Sequence, residues 1–198
     1  LKCGICYLIC PQTKALNSEL KEKFGWSPPI GNYRRVTSAR TTNKRVMEIC
    51  TDGGLVTSLL LYLLEQNLIN GAVVSKKTGR FSREPIIART PEEIIEAAGS
   101  RFSGSLHLEE LGGRYTTYTP IIRSLDRRYL RDIAVVGTPC QINAIRKMQC
   151  LGVIPADLVK YTIGLFCIEN FSFDDLARER LEKKLDINME DVVKLNIK

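Results

Sequence analysis

The sequence predicts an α/β fold, a largely parallel sheet with flanking helices. Three observations carry that prediction. Short apolar runs at Ala72–Ser75, Ile133–Gly137 and Tyr161–Cys167 read as strands. The stretches between them open on helix-capping residues. Strands therefore alternate with helices, the pattern of parallel βαβ units.

In chain order, residues 1–28 make one unit and residues 29–198 a second. Residues 12–35 read as their connection, because Trp26-Ser27-Pro28-Pro29-Ile30-Gly31-Asn32 carries the Pro/Gly punctuation of a linker. Asn43 caps a short helix through Cys50. Thr51-Asp52-Gly53-Gly54 interrupts it, and an apolar helix runs from Leu55 to about Leu68. Asn70-Gly71 turns the chain into the strand Ala72–Ser75, and Pro85–Arg89 is the next strand. Thr90-Pro91-Glu92-Glu93 combines an N-cap, a proline at the first helical position and a capping box, and Gly99 ends that helix. After a polar loop at 99–105, Thr119-Pro120 starts a helix reaching Tyr129. Ile133–Gly137 is a buried strand, Gln141–Gln149 a helix, and Tyr161–Cys167 a further strand. Ser172 caps a charged helix to Leu185.

Composition excludes several classes. The longest apolar run, Leu59 to Leu64, is far short of a membrane span. The net charge of +7 comes from scattered basic residues, and no nucleic-acid motif accompanies them, so the surplus reads first as a solvated surface, next as suited to an anionic cofactor, and last as suited to a nucleic acid. His107 is the only histidine, which leaves imidazole acid–base chemistry without a partner. Seven cysteines without a secretory context point to a reducing compartment, the cytoplasm, and to metal or redox use.

Three of those cysteines open the chain in the run Cys3-Gly-Ile-Cys6-Tyr-Leu-Ile-Cys10-Pro11. This is the back end of the bacterial ferredoxin signature, whose cysteine before the proline serves a different cluster from its neighbours. Cys3 and Cys6 then belong to one 4Fe-4S cluster and Cys10 to another. A structural zinc site draws its cysteine pairs from more distant positions, and disulfides between such close partners are disfavoured. The fourth cysteine of the motif is expected just before Leu1, so the chain reads as a fragment that begins at the end of a ferredoxin-like iron–sulfur segment.

Two further cysteines, Cys140 and Cys167, follow the carboxyl ends of predicted strands, the edge where open α/β sheets bind ligands. Cys140 also falls at a helix N-terminus, where free amides favour the thiolate that an iron–sulfur cluster needs. The alternative is that both are small core residues. Cys50 and Cys150 lack such settings and read as structural. Asp52-Gly53-Gly54 ahead of an apolar helix suits a phosphate or pyrophosphate, as does the Gly99-Ser100-Arg101 loop with its hydroxyl and guanidinium.

Together these segments resemble the beta subunit family of coenzyme F420 hydrogenases and dehydrogenases. The resemblance rests on Ser38-Ala39-Arg40-Thr41, Thr51-Asp52-Gly53-Gly54-Leu55-Val56-Thr57, Gly71-Ala72-Val73-Val74, Ala98-Gly99-Ser100-Arg101-Phe102, Gly137-Thr138-Pro139-Cys140-Gln141 and Cys167-Ile168-Glu169-Asn170-Phe171. It implies FAD next to a 4Fe-4S cluster, with Cys140 and Cys167 as two of its ligands and the others further along the chain, and so a domain truncated at its carboxyl end. It implies flavin contacts at Asp52, Gly53, Gly54, Thr57, Gly99, Ser100 and Arg101. Family members more usually carry Lys-Tyr where this chain has Arg101-Phe102.

The ferredoxin-like segment narrows the resemblance to the electron-input subunit of the membrane dehydrogenase that oxidises reduced F420 (the F420H2 dehydrogenase) or the amino-terminal half of the F420-dependent sulfite reductase. The implied activity is electron transfer between coenzyme F420, or another small redox carrier, and iron–sulfur clusters via FAD, with no side-chain general base. Other redox subunits or domains are the implied partners, in the cytoplasm or peripherally on a membrane complex. The competing readings are an iron–sulfur electron-transfer subunit without flavin and a zinc-stabilised nucleic-acid module.

Overall fold

The computed structural model describes residues 3–78, 83–99, 121, 125–167 and 175–192. Four strands form one mixed sheet in the order β2-β1-β3-β4, with β1 at Gly71–Lys77, β2 at Arg83–Ala88, β3 at Ile133–Gly137 and β4 at Val159–Gly164. β1, β3 and β4 are parallel, and β2 runs antiparallel to β1 at one edge. The helices are α1 Ile5–Ile9, α2 Asn17–Phe24, α3 Lys44–Ile49, α4 Leu55–Glu65, α5 Pro91–Glu96, α6 Pro139–Cys150 and α7 Asp175–Leu185. The predicted α/β class with a largely parallel sheet is the observed one.

Side-chain alternation divides the core into two layers. Val73, Ile133 and Val135 face one way, onto Ile145 and Met148 of α6 and onto Leu125 and Leu130. Ala72, Val74, Ala134 and Val136 face the other way, onto Leu60 and Leu61 of α4, Ile94 of α5 and Val46 of α3. Because both faces are covered, β3 is buried at all five residues and reads in the sequence as an unbroken apolar run. Burying Ile133 and Val135 stabilises the sheet by about 1.5–3 kcal/mol each.

Local chemistry sets the element ends. The Asn43 side chain accepts from Val46 N–H, which starts α3 as expected. Thr90 and Glu93 form the predicted capping box on α5. α4 stops at Glu65 rather than Leu68, since Asn67 takes a left-handed conformation (φ 54°) and Leu68 N–H turns back to Leu63 O.

Three further expectations are corrected. β4 runs from Val159 to Gly164 rather than from Tyr161 to Cys167, which leaves Cys167 past the strand's carboxyl end, as the site reading expects; the apolar residues that suggested a longer strand, Leu165 and Phe166, are exposed. Leu125–Tyr129 is not helical: Tyr129 and Leu130 N–H both donate to Asp126 O in a turn, which brings Leu125 and Leu130 into the core together. The stretch read as a connection at 12–35 contains α2, which packs with α1 against α6. The expected helix start at Thr119-Pro120, the Ser172 cap and His107 lie outside the described residues.

Candidate functional site

The carboxyl edge of the sheet gathers most of the described candidates. β3 and β4 pair in parallel with Gly137 opposite Gly164, and one more ladder bond, Leu165 N–H to Gly137 O at 2.8 Å, carries the pairing past the strand ends. Cys140 and Cys167 thus follow paired residues of adjacent strands at the same offset. Both are exposed, and neither is joined in a disulfide.

Cys140 is held by the start of α6. Thr138 is the N-cap, Pro139 the first helical residue, and Gln141 Oε1 accepts from Thr138 N–H at 2.8 Å. The Thr138 hydroxyl lies 3.1 Å from Cys140 Sγ, in hydrogen-bond contact with the sulfur. Sequence reading placed the cysteine here but missed that role of Thr138.

The predicted flavin loops sit over the other half of the edge. Gly99 packs against the turn before α4: a Cβ there would meet Ile49 O at 3.1 Å and Thr51 Oγ1 at 3.7 Å, and its φ of 90° suits glycine. Arg83, at the start of β2, fixes the same loop. Its guanidinium donates to Gly99 O (3.1 Å), to Ala97 O (3.0 Å) and to Ser75 O, while Nε reaches Ser75 Oγ at 3.0 Å. Lys77, the last residue of β1, pairs with Arg83. The 97–99 loop therefore hangs over the carboxyl end of β1, beside the turn that carries Asp52, Gly53 and Gly54. Nothing in the sequence set Arg83 apart from the other basic residues.

Residues 39–41 lie under that turn. Thr41 N–H donates to Gly53 O at 2.8 Å, and the hydroxyls of Thr41 and Ser58 meet at 2.6 Å. A Cβ on Gly53 would fall 2.9 Å from Ala39 O; one on Gly54 (φ 65°) would fall 2.9 Å from both Thr41 Cγ2 and Val46 Cγ1. Both glycines are thus required by the chain's own packing. Cys50 supports the turn, donating its thiol proton to Asp52 O at 3.0 Å. Thr57 is buried in the first turn of α4. Ser100, Arg101 and residues 168–171 lie outside the described residues.

The amino-terminal cysteines occupy a separate place. Cys3 and Cys6 are exposed around α1, while Cys10 caps its end and is partly buried against α6. Lys147 of α6 is fully buried, and its ammonium donates to Cys10 O (2.8 Å) and Thr13 O (2.9 Å). On the same helix Arg146 stacks over the Phe24 ring at 4.5 Å and donates to Thr162 Oγ1; burial pulls its guanidinium below its ordinary pKa. Among the described residues no three Cys, His, Asp or Glu side chains converge on one metal position. The predicted assignment asks for fewer: Cys3 with Cys6, Cys10 alone, and Cys140 with Cys167. The donor chemistry fits, because all five are cysteines outside any disulfide and none is fully buried.

A cleft of about 690 Å³, lined by Leu64, Asn67, Asn70, Arg89, Thr90 and Glu93 among others, opens at the opposite, amino edge and includes none of the predicted site residues.

Comparison with known proteins gives a consistent result. Residues 36–111 match the amino-terminal model of the family described as coenzyme F420 hydrogenase/dehydrogenase, beta subunit, and residues 130–198 match the carboxyl-terminal model of the same family. Coenzyme F420 hydrogenase subunit beta of Methanococcus voltae is 34% identical over 172 residues, covering 85% of this chain and 57% of the relative. The protein of the same name from Methanothermobacter thermautotrophicus is 35% identical with the same coverage. Coenzyme F420-dependent sulfite reductase of Methanocaldococcus jannaschii is 29% identical over 213 residues, 98% of this chain and 30% of the relative, a match that takes in most of residues 1–35. In the solved structure of a xenon-derivatised F420-reducing NiFe hydrogenase complex from Methanosarcina barkeri, one chain matches with a TM-score of 0.71 at 28% identity, over 87% of this chain and 57% of that one. The chain thus spans little more than half the length of the two hydrogenase relatives.

Proposed function

Because the chain belongs to the coenzyme F420 hydrogenase/dehydrogenase beta subunit family, we propose that it is part of an oxidoreductase. It passes electrons between coenzyme F420, the hydride-carrying substrate, and 4Fe-4S clusters by way of FAD. One observation supports the reading above the rest: Cys140 and Cys167 each lie three residues past the paired Gly137 and Gly164 of adjacent strands, on the sheet edge that also bears the glycine turns of 52–54 and 99.

Each part of the edge has a task. The turn at Asp52, Gly53 and Gly54 offers backbone amides at the start of α4, which suit the diphosphate of FAD. Thr57 lies one turn further along and Gly99 abuts the turn; Ser100 and Arg101, next in the sequence, are the remaining proposed flavin contacts. Arg83 satisfies the carbonyls of Ala97 and Gly99 and so fixes the loop that leads to Ser100 and Arg101. Cys140 and Cys167 supply two thiolates to one cluster, and the Thr138 hydroxyl steadies the first. Cys3, Cys6 and Cys10 serve ferredoxin-type clusters, a role supported by the 98% coverage of the match to the sulfite reductase. When bound, FAD supplies the exchange between a two-electron hydride donor and one-electron centres; the protein holds the groups in register. Other redox subunits make up the rest of the assembly, in the cytoplasm or on the surface of a membrane complex. Among the described residues no helix is long and apolar enough to cross a membrane.

The test is the absorption spectrum and iron content of the intact gene product purified without oxygen. Flavin bands with a broad iron–sulfur shoulder are expected, and the Cys140→Ser, Cys167→Ser double variant should lose one cluster's iron while keeping its flavin. A shoulder without flavin bands would establish the flavin-less electron-transfer role instead, and a colourless zinc protein would overturn both.

A further inference from the structure

Lys147 is a buried cation that none of the preceding roles uses. Its side chain is wholly inside the protein, in the middle of α6. Lysine is rarely buried to this degree unless its charge is matched. Among the described residues no carboxylate lies at ion-pair distance from it; its ammonium is instead ringed by Cys10 O (2.8 Å), Thr13 O (2.9 Å) and, more distantly, Thr13 Oγ1 (3.5 Å). All three oxygens belong to the four-residue turn that contains Cys10-Pro11. That turn is itself closed, with Thr13 N–H and Thr13 Oγ1 both donating to Cys10 O. If the turn left α6, a buried charge would lose all three oxygens at once, so the contact works as a lock.

Position on the helix adds a second point. Cys140 lies seven residues before Lys147, close to two full turns, so both fall on one side of α6 and about 10 Å apart along its axis. α6 thus carries a predicted cluster ligand at its start and grips the backbone of another two turns on. A single cation against the Cys10 turn also favours whichever state of a nearby cluster is more negative, the reduced one.

We propose that Lys147 is a positioning residue that locks the Cys10 turn onto α6 at a set distance from Cys140 and raises the reduction potential of the cluster that Cys10 ligates. The second half rests on the functional reading above; the first does not.

The experiment compares Lys147→Met, Lys147→Gln and Lys147→Arg in the intact, anaerobically reconstituted protein. Redox titration is followed by electron paramagnetic resonance, with Cys10→Ser identifying the signal that depends on Cys10. Hydrogen exchange is read at the amides of Tyr7, Leu8 and Thr13. The Met and Gln variants should shift that signal's midpoint to a more negative potential and speed exchange about tenfold. The Arg variant keeps the charge and should hold the midpoint near wild type. An unshifted midpoint in the Met variant, or an equal shift in the Arg variant, overturns the electrostatic role. Unchanged exchange in the Met variant overturns the lock. If the wild-type protein shows no cluster signal, the functional reading and the electrostatic role fall together, and exchange alone decides the lock.

Discussion

Above β1 and β2 the chain fastens its own loops, whereas above β3 and β4 it leaves two cysteines in the open. On the first side Arg83 satisfies the carbonyls of Ser75, Ala97 and Gly99, while Gly53 and Gly99 let neighbouring backbone, and Gly54 the side chains of Thr41 and Val46, approach closely. On the second, Cys140 and Cys167 are exposed and Phe166 beside them is fully so. The difference teaches where order comes from. The β1–β2 half is organised by protein–protein contacts that exist before any cofactor arrives. The β3–β4 half has its strand register fixed and its two cysteines exposed; on the function proposed above, its last step of order comes from the cluster those sulfurs would hold.

The sharpest way to break this contrast is Gly54→Ala. The methyl group must fit a backbone at φ 65° and a space where Thr41 Cγ2 and Val46 Cγ1 already stand 2.9 Å away. Strain and overpacking together should cost about 2–4 kcal/mol. Thermal melting of the cofactor-free chain should drop by roughly 5–15 °C. An unchanged melting temperature would mean that the turn is loose until a ligand orders it, and the two halves would then not differ.

These contacts also mark the limit of what the sequence could tell. β3 was legible because a strand covered on both faces must be apolar throughout, and the start of α5 because a capping box is a local code. Cys140 and Cys167 could be placed near strand ends from the residues alone. Their common offset could not, since register depends on the partner strand, and the apolar Leu165-Phe166-Cys167 extended β4 too far. α2 was hidden because it has no buried residue and so no apolar stripe to read. Arg83 and Lys147 escaped for a different reason. A basic side chain looks alike in sequence whether water or carbonyls surround it. In hindsight the only trace of Lys147 is its place beside Ala144 and Met148, three and one residues away on the buried side of α6.

A smaller effect on the same half is expected from Arg83→Met. The variant keeps the stem that packs between β1 and the loop but leaves the part-buried carbonyls of Ala97 and Gly99 without this donor. The cost should be about 1–3 kcal/mol in stability. If FAD binds at this loop, its dissociation constant should rise about tenfold, measured by flavin fluorescence. Arg83→Lys should rescue only part of the loss, because an ammonium cannot reproduce the planar fork that spans three carbonyls. Full rescue by lysine would show that charge, not geometry, holds the loop.

The smallest effect should come from the ion pair on the same half, Lys76 on β1 with Glu96 on α5 at 2.6 Å. Lys76 holds the Glu96 carboxyl below its ordinary pKa, chiefly through their hydrogen bond and then through charge. A depressed carboxylate contributes stability above its unfolded pKa and loses it as pH falls through the folded value, so any contribution must vanish on the acid side. Both side chains are well exposed, however, and salt screens such a pair. Glu96→Gln should therefore melt with the wild type across the neutral range at physiological salt, with any separation confined to low salt and narrowing as pH falls through the carboxylate range. Arg83 and Glu96 make their contacts within the same few residues of β1 and α5. If the exposed pair proved as costly to remove as the guanidinium fork, surface charge rather than satisfied carbonyls would be what organises this half of the edge.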